Sequence, residues 1–597
     1  MLNKNKRNYP SSLIYLLYSV YKKLTKIRKI QLFVVFLTML ASGFAEVVSL
    51  TSIIPLLSIL IDPNKIWEIE YFSEIITFFG IKSNSQILFF STFLFIFAAV
   101  LSSIVRLINL WISNRVVAGI GGDISCEAYK ITMFQPYSVH LYRNSSKVIT
   151  ATTAHTSDTV AVLSSALQFI TSIIITLFLI CALLYFDWKI AIICSTAFGF
   201  CYLLIVLGSR KKLIKNSRIV AQSNQLRIKA LQEGLGAIRD VILDKTQGYY
   251  ASIYRRADRP LRLKEAQSWF LASAPRYLLE AIGLSIISFL ALFLSLTSPP
   301  GFTIVPLLGA IAFGAQRLLP SLQMIYSQWA FMSAHTAAVQ NVLRILDEDH
   351  SKNSFENSIP KLLIVERIRL KNISFQYKNS NKKVLNNINL EFSKGEKVGI
   401  IGSTGSGKST LFDILMGLII PTKGSLLIDD LDVTNDDYKK MPSWQSNIAH
   451  VPQSIYLSDT SFAENIAFGI PLNKIDMEKV KEAATLARID KFINNFKDGY
   501  YSRVGERGSN ISGGQRQRIA IARALYKDAD VIFFDEATSA LDMETERDII
   551  STLFKACKQK NLFLIAHRLT TIKSCDKIVK IDNGKVCLEG GPQSIIK

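Results

Sequence analysis

Apolar residues are concentrated in six long stretches within the first 331 positions of the chain. The stretches comprise about 31–61, 85–114, 160–186, 190–209, 268–297 and 302–331. A helix needs about 20 mostly apolar residues to cross a bilayer. The pattern therefore predicts six membrane-spanning helices with both termini on one side. The first stretch is too long for the apolar region of a signal peptide, which has about 7 to 15 residues.

The connections between these stretches predict further helices. Segments 115–159 and 210–267 contain few Gly or Pro, so we expect the helices to continue out of the membrane. The return at 186–189 is short, with Trp188 as an interfacial anchor. Segment 62–80 has polar residues on one helical face and apolar residues on the other. This predicts an amphipathic helix at the outer membrane surface, with a short packed loop helix as an equal alternative.

Lysine and arginine residues set the orientation. Fourteen lie in 210–264 and eight in 1–30, but segment 62–84 contains only Lys65 and Lys82. Cytosolic segments carry the excess of Lys and Arg. Both termini are therefore expected in the cytosol.

The last third of the chain changes character. A polar stretch follows the sixth apolar segment, and from there strand-like runs at 363–369, 398–401, 531–534 and 562–565 alternate with helical patterns. We expect a cytosolic N-terminal segment at 1–30, a transmembrane domain at 31–335, a linker at 336–360 and a nucleotide-binding domain at 361–597. The predicted fold class is a six-helix transmembrane domain of α-helices followed by an α/β P-loop domain.

Composition agrees with a membrane protein. The 597 residues are 49% hydrophobic, with a net charge of +22. The basic residues lie mainly beside apolar segments, so anionic lipid headgroups are expected partners and nucleic acid is not. The seven cysteines include no C-x-x-C pair, and we expect neither disulfides nor a cysteine metal site.

A glycine-rich loop follows the apolar run 398–401 and precedes a helical segment. This strand-loop-helix order lets backbone N–H groups converge on phosphate oxygens, whereas a plain surface loop is the alternative. Lys408 would reach the β- and γ-phosphates of ATP, and the Ser409 hydroxyl would bind Mg²⁺. The candidate ATP-binding residues here are Gly402, Ser403, Thr404, Gly405, Ser406, Gly407, Lys408, Ser409 and Thr410.

A second motif supplies carboxylates. The apolar run 531–534 predicts a buried strand that ends at Asp535 and Glu536. Asp535 is a candidate Mg²⁺ ligand and Glu536 a candidate general base. Such a pair alone is also common at a helix N-terminus.

The sequence Ile511-Ser512-Gly513-Gly514-Gln515 lies just upstream. With these motifs in order, the chain resembles the ATP-binding cassette family, whose signature is L-S-G-G-Q; Ile511 departs from it mildly. The resemblance implies that Tyr377 stacks on adenine and that Gln453 contacts both Mg²⁺ and the membrane domain. It also implies that His567 senses the γ-phosphate and that 539–542 touches a partner cassette. Ser512, Gly513, Gly514 and Gln515 would complete a site on a second chain, so a homodimer is implied.

Six spans before one cassette resemble an ABC exporter half-transporter in a bacterial plasma membrane. Coupling helices are implied near 135–141 and 247–257. A channel or regulatory ATPase is a rival, disfavoured by the intact Glu536 and by the lack of a regulatory insertion after 361. A peptide exporter with a protease domain is not expected, because 1–30 is too short for one. A multidrug or general lipid or peptide exporter is the main alternative.

Three arginines lie inside predicted spans: Arg106, Arg276 and Arg317. A charge at that depth costs at least about 2.5 kcal/mol unless it faces protein, water or an anion. Glu46 and Glu280 could neutralise some of them. A surplus arginine would suit a phosphate or pyrophosphate. Together with the external helix, this resembles bacterial flippases of lipid-linked oligosaccharides and predicts an amphipathic, anionic lipid-linked substrate.

Overall fold

The computed structural model describes residues 9–10, 12–53, 56, 84–186, 188–297, 305–348, 362, 366–378, 380–434, 440–536, 543–565 and 572–595. The chain divides into two compact units. The first comprises Met1–Gln135 and Tyr142–His350, and the second comprises Pro136–Leu141 and Ser351–Lys597.

The first unit is helical. Its helices are α1 (Leu13–Lys23), α2 (Lys26–Thr51), α3 (Asn84–Met133), α4 (Tyr137–Tyr142, mostly in the second unit), α5 (Ser145–Thr150), α6 (Thr156–Phe186), α7 (Trp188–Gly236), α8 (Ile238–Leu243), α9 (Gln247–Thr297), α10 (Val305–Ala334) and α11 (Thr336–Leu346). A π-helical turn, Ala151–His155, joins α5 to α6.

The long helices run well past the predicted membrane spans. Helix α3 has 50 residues, α7 has 49 and α9 has 51. At about 1.5 Å per residue each is roughly 75 Å long, more than twice the thickness of a bilayer core of about 30 Å. The prediction that helices continue out of the membrane is confirmed for these three.

Three described helical stretches are long and apolar enough to cross a membrane: Lys26–Thr51, Gln86–Met133 and Ser145–Tyr185. The first begins before the predicted residue 31, because the Thr25 side chain caps it by accepting a hydrogen bond from the Arg28 amide. The remaining predicted spans include residues or side chains outside the described part of the chain. The predicted amphipathic helix at 62–80 also lies outside it.

Helix α1 packs against the end of α11 within the first unit. Leu16 and Val20 are buried in the same apolar cluster as Val342 of α11. The Lys23 ammonium lies 2.6 Å from Asp347, which also accepts a hydrogen bond from the Tyr9 hydroxyl. The first part of the expected linker at 336–360 is a packed helix, α11.

The second unit contains two sheets. The strands are β1 (Arg367–Gln376), β2 (Lys383–Ser393), β3 (Lys397–Ile401), β4 (Lys423–Ile428), β5 (Leu431–Asp432), β6 (Ile448–Val451), β7 (Val531–Asp535), β8 (Asn561–Ile565), β9 (Lys577–Asp582) and β10 (Lys585–Gly590). The helices are α12 (Lys408–Leu415), α13 (Met441–Ser446), α14 (Phe462–Ile466), α15 (Met477–Leu486), α16 (Asp490–Asn494), α17 (Gly513–Tyr526), α18 (Met543–Ala556) and α19 (Pro592–Ile595).

The larger sheet has the order β10-β9-β3-β8-β7-β6 and is parallel except at the β10 edge. The smaller sheet, β2-β1-β4-β5, is antiparallel. Buried apolar side chains of α12 pack with strands of both sheets in one core. Strands buried on both faces read as continuous apolar runs, which is why the sequence pattern located β3, β7 and β8.

Lys397 at the start of β3 is buried. Its ammonium donates to the carbonyls of Gly395 (2.6 Å), Cys557 (2.9 Å), Lys558 (3.2 Å) and Lys560 (2.8 Å). Burial lowers the pKa of Lys397, and the Asp576 carboxylate opposes this effect. The Lys397 side chain therefore connects β3 to residues 557–560, which follow α18.

We expect Lys397→Met to destabilise the second unit by about 2–4 kcal/mol, because several buried carbonyls lose a charged donor. Thermal unfolding of the full chain measures this. The matched control is Lys394→Met, since Lys394 is exposed. Equal unfolding temperatures for the two variants would contradict the role of Lys397.

Candidate nucleotide site

The site forms where four parallel strands end at one level. Ile400 of β3 is in register with Ile565 of β8, and Ile565 is in register with Asp535 of β7. Val451 of β6 pairs with Phe534. Ligands bind beyond the carboxyl ends of such strands. The loop at 402, Gln453 and Glu536 therefore lie at the same edge of the sheet.

The loop between β3 and α12 packs tightly against its surroundings. A Cβ atom at Gly402 would lie 2.1 Å from the Ile581 carbonyl oxygen, so only glycine fits. The Lys408 ammonium is buried and donates to the carbonyls of Gly402 (2.9 Å) and Ser403 (3.0 Å). The Ser406 hydroxyl is buried and has no hydrogen-bond partner among the described residues. An ammonium, a spare hydroxyl and a helix N-terminus together suit a phosphate group.

The carboxylates lie beside this loop. The Gln453 amide donates to Glu536 over 2.7 Å, which brings together two residues assigned from separate motifs. Glu536 has φ +49°, a left-handed backbone that side chains other than glycine seldom adopt. Burial and the neighbouring Glu536 raise the pKa of Asp535, while Lys408 lowers it. The charges of the candidate base and of the candidate phosphate-binding lysine thus both act on the Asp535 carboxyl group.

The residues fit a magnesium ion with oxygen ligands. The candidates are the Ser409 hydroxyl, the Asp535 carboxylate and the Gln453 amide oxygen. Magnesium usually keeps several waters and takes one or two carboxylates. Among the described residues, no group of three His, Cys, Asp or Glu side chains could hold a metal by itself.

Tyr377, the candidate adenine contact, lies against the same helix. Its hydroxyl is 3.1 Å from the Thr410 hydroxyl, and its ring packs edge-on against Phe375 at 4.9 Å. The structure thus places Tyr377 beside the loop residues. Its contact with adenine stays a prediction.

Asp413 was missed by the sequence analysis. It lies on α12 four residues after Ser409, hence on the same helical face. Burial, followed by the charge of Asp535, raises the pKa of Asp413 to about 6. The i, i+4 spacing from a candidate metal ligand was the available signal.

Tyr137 is the second residue that the sequence analysis did not single out. Residues Pro136–Leu141 belong to the second unit. Burial raises the pKa of Tyr137, and the nearby Asp413 and Tyr377 raise it further. The first implied coupling segment therefore lies near the nucleotide-site residues. The second, 247–257, is the beginning of α9, and its role stays a prediction.

The signature residues form a capped helix start. The Ser512 hydroxyl accepts a hydrogen bond from the backbone N–H of Gln515 at 3.3 Å. The Gln515 side-chain oxygen accepts one from the backbone N–H of Ser512 at 2.8 Å. Gly513 and Gly514 occupy the first turn of α17. Within the described part of the chain, no hydrogen bond joins 512–515 to 402–410. His567 and the loop 539–542 lie outside the described residues.

The three candidate substrate arginines differ. Arg106 lies 3.5 Å from Glu46, whose side chain is only 4% exposed and also accepts from Ser102 at 2.8 Å. Arg276 is exposed on α9, and no ion pair joins it to Glu280 in the structure as described. Arg317 is part of α10, but its side chain lies outside the described residues. Arg106 is therefore neutralised internally.

Comparison with known proteins finds matches to part of the second unit. Residues 385–539 match the family described as ABC transporter. The chain is 42% identical over 254 residues to the leukotoxin export ATP-binding protein LtxB of Aggregatibacter actinomycetemcomitans, covering 42% of this chain and 35% of that protein. It is 41% identical over 260 residues to the alpha-hemolysin translocation ATP-binding protein HlyB of Escherichia coli O157:H7, covering 43% and 36%. The chain thus matches about a third of the length of these relatives.

The fold resembles that of a bacterial Atm1-family ABC exporter solved with ATP bound. The TM-score is 0.77 at 22% identity, over 95% of this chain and 96% of that one. This confirms the predicted fold class, a helical transmembrane domain followed by an ABC nucleotide-binding domain.

Gly402→Ala should destabilise the cassette by about 2–5 kcal/mol, because the added methyl meets a backbone oxygen in a strained conformation. Gly405→Ala is the matched variant: Gly405 has φ +79°, but no atom lies within 4 Å of its added Cβ. Gly405→Ala should lower the free energy of unfolding by about 1–2 kcal/mol. Thermal unfolding of the two full-length variants without nucleotide checks the difference, and a smaller loss for Gly402→Ala would refute it.

Proposed function

We propose that this chain is one half of an ATP-driven exporter that works as a homodimer in a bacterial plasma membrane, with both termini cytosolic. The observation that carries the ATPase part is the cluster at the strand ends, where Lys408, Asp535, Glu536 and Gln453 come together. The match of residues 385–539 to the ABC transporter family supports it. The exporter fold and the three apolar helices support membrane transport.

The proposed chemistry follows from the positions of these residues. Lys408 holds two loop carbonyls, and exchanging them for phosphate oxygens would keep its charge satisfied. Ser409, Asp535 and Gln453 would hold Mg²⁺, which neutralises charge on the transferred phosphate. Glu536, held by the Gln453 amide, would accept a proton from the attacking water. Its unusual backbone conformation fits a residue positioned for function rather than stability.

A second chain would complete each site. The N-terminus of α17, with Ser512, Gly513, Gly514 and Gln515, offers backbone N–H groups to an anion. These residues make no hydrogen bond to the loop 402–410 of their own chain, within its described part. We assign them to the nucleotide held by the partner, and His567 to the γ-phosphate of its own site.

For the substrate we propose an amphipathic, anionic, lipid-linked molecule, such as a lipid-linked oligosaccharide or related glycolipid. Because Arg106 is paired with Glu46, Arg276 and Arg317 are the candidates to bind the anionic group. Arg276 is exposed at membrane depth without an ion pair to the nearby Glu280, and such a charge requires water or an anion. Arginine binds phosphate in a bidentate manner.

The alternative is a multidrug or general lipid or peptide exporter. LtxB and HlyB are named for leukotoxin export and alpha-hemolysin translocation, which favours a polypeptide substrate. The similarity covers less than half of this chain. It therefore supports the ATP-binding part more strongly than any substrate.

Glu536→Gln should still bind ATP but stop hydrolysis, because phosphate and metal contacts come from other residues. Closed dimers should accumulate when ATP is added. ATPase assays measure hydrolysis, and limited proteolysis with and without ATP measures closure of the dimer. The matched control is Glu544→Gln, since Glu544 is exposed on α18, and it should behave as wild type. Hydrolysis by Glu536→Gln at the wild-type rate would show that Glu536 is not the base.

Arg276→Ala and Arg317→Ala should abolish flipping of a pyrophosphate-linked lipid in proteoliposomes while basal ATPase is kept. Lysine at either position should rescue only in part. Arg259→Ala is the control, because Arg259 is exposed on the same helix but outside the predicted span. If neutral and anionic lipids stimulated ATPase equally, the anionic substrate would be wrong even though the ATPase assignment stood.

A further inference from the structure

A basic face lies on α7 directly after the predicted span 190–209, on the side that the proposed function places in the cytosol. It consists of five exposed side chains: Arg210, Lys211, Lys212, Lys215 and Arg218. No acidic residue occurs between 210 and 232. In the part of the chain that the structure describes, none of the five has an ion-pair partner. We call these five residues the basic face.

The part of α9 that precedes residue 268 carries two acidic side chains, and both are already paired. Asp258 of α9 pairs with Arg227 at 3.4 Å and with Arg262 at 3.6 Å. Glu265 lies 3.7 Å from Arg262. The acidic groups on this part of α9 are therefore already committed. Among the described residues, the charge of the basic face therefore has no internal partner and is available to a partner outside the chain.

Hydrogen bonds fix the level of the basic face along the helix pair. The Asn216 amide donates to Ser268 of α9 at 3.1 Å, and the Tyr326 hydroxyl bonds both Ser209 (3.2 Å) and the Leu271 carbonyl (2.9 Å). Residues 209–216 of α7 are thus level with 268–271 of α9. Both segments lie where predicted spans meet the cytosol.

Two large aromatic side chains are exposed at the same level. Trp269 is 73% exposed and Phe270 is 68% exposed. Tryptophan is enriched at membrane interfaces, where its ring lies among the headgroups. Cationic and aromatic residues at one depth identify an interfacial layer rather than an ordinary solvated helix face.

We propose that the basic face, with Trp269 and Phe270, is a docking site for anionic phospholipid headgroups of the cytosolic leaflet. Arg210 and Arg218 are about 12 Å apart along the helix, so the face covers the headgroup region and the adjacent water. Long Lys and Arg side chains can reach the phosphates from either side. A second protein chain is a poorer occupant, because covering five unpaired cations is costly.

The test uses the full chain purified in neutral detergent. Phosphatidylglycerol or phosphatidylcholine is titrated in, and thermal unfolding reports binding, since a ligand of the folded state raises the unfolding temperature. We expect half-saturation by phosphatidylglycerol at a concentration at least about tenfold lower than by phosphatidylcholine, because each basic residue near an anionic surface adds about a factor of five. The triple variant Lys211→Gln, Lys212→Gln, Lys215→Gln should lose this preference.

Two control variants isolate the position and the charge. Arg255→Gln with Arg256→Gln and Arg259→Gln removes three exposed cations farther along α9, and it should keep the preference for phosphatidylglycerol. Replacing the three lysines of α7 by arginine should keep it as well. Raising the salt concentration should weaken phosphatidylglycerol binding to the wild type but not phosphatidylcholine binding.

Three outcomes would overturn the proposal. The lysine-to-glutamine variant could keep the preference for phosphatidylglycerol. Alternatively, the α9 variant could lose this preference to the same extent, which would indicate that only the net charge of the chain matters. Soluble inorganic pyrophosphate could stabilise the wild type as well as phosphatidylglycerol does but fail to stabilise the lysine-to-glutamine variant, which would indicate that the basic face is a site for a free anion. None of these outcomes depends on whether the transported substrate is anionic.

Discussion

The parallel register of β3, β8, β7 and β6 is the constraint on which the nucleotide site depends. Ile400, Ile565 and Asp535 lie level with one another, and Val451 is level with Phe534. Because all four strands point the same way, segments far apart in sequence leave the sheet at one edge. The hydrogen bond between Gln453 and Glu536, 83 positions apart, is the direct result.

Buried charge is handled differently in the two units. In the cassette, Lys397 is satisfied by four carbonyls and serves only the structure, whereas Lys408 holds two loop carbonyls that a phosphate could replace. In the first unit, Glu46 forms an ion pair with Arg106, while the basic face of α7 has no internal counter-ion among the described residues. A charge whose partners lie within the fold is structural, and a charge without them is available for a ligand.

Strain is concentrated where the chemistry is proposed. Glu536 adopts a left-handed backbone directly after β7, and the approach of Ile581 leaves room only for glycine at 402. Asp413 and Asp535 keep two carboxylates close together in a half-buried setting that raises the pKa of both. Such features cost stability, and they persist because the surrounding sheet and the packed helix α12 hold them in place.

The sequence alone determined the fold class and the local motifs. Continuous apolar runs marked β3, β7 and β8, and the low Gly and Pro content of 115–159 and 210–267 marked helices that leave the membrane. These are local signals, because each depends on residues close together in the chain. Tertiary structure decided which groups meet: Arg106 with Glu46, Asp413 with Asp535, Tyr137 with the nucleotide-site residues, and α1 with the end of α11. Those contacts depend on strand register and helix packing, and no periodicity within a single segment encodes them.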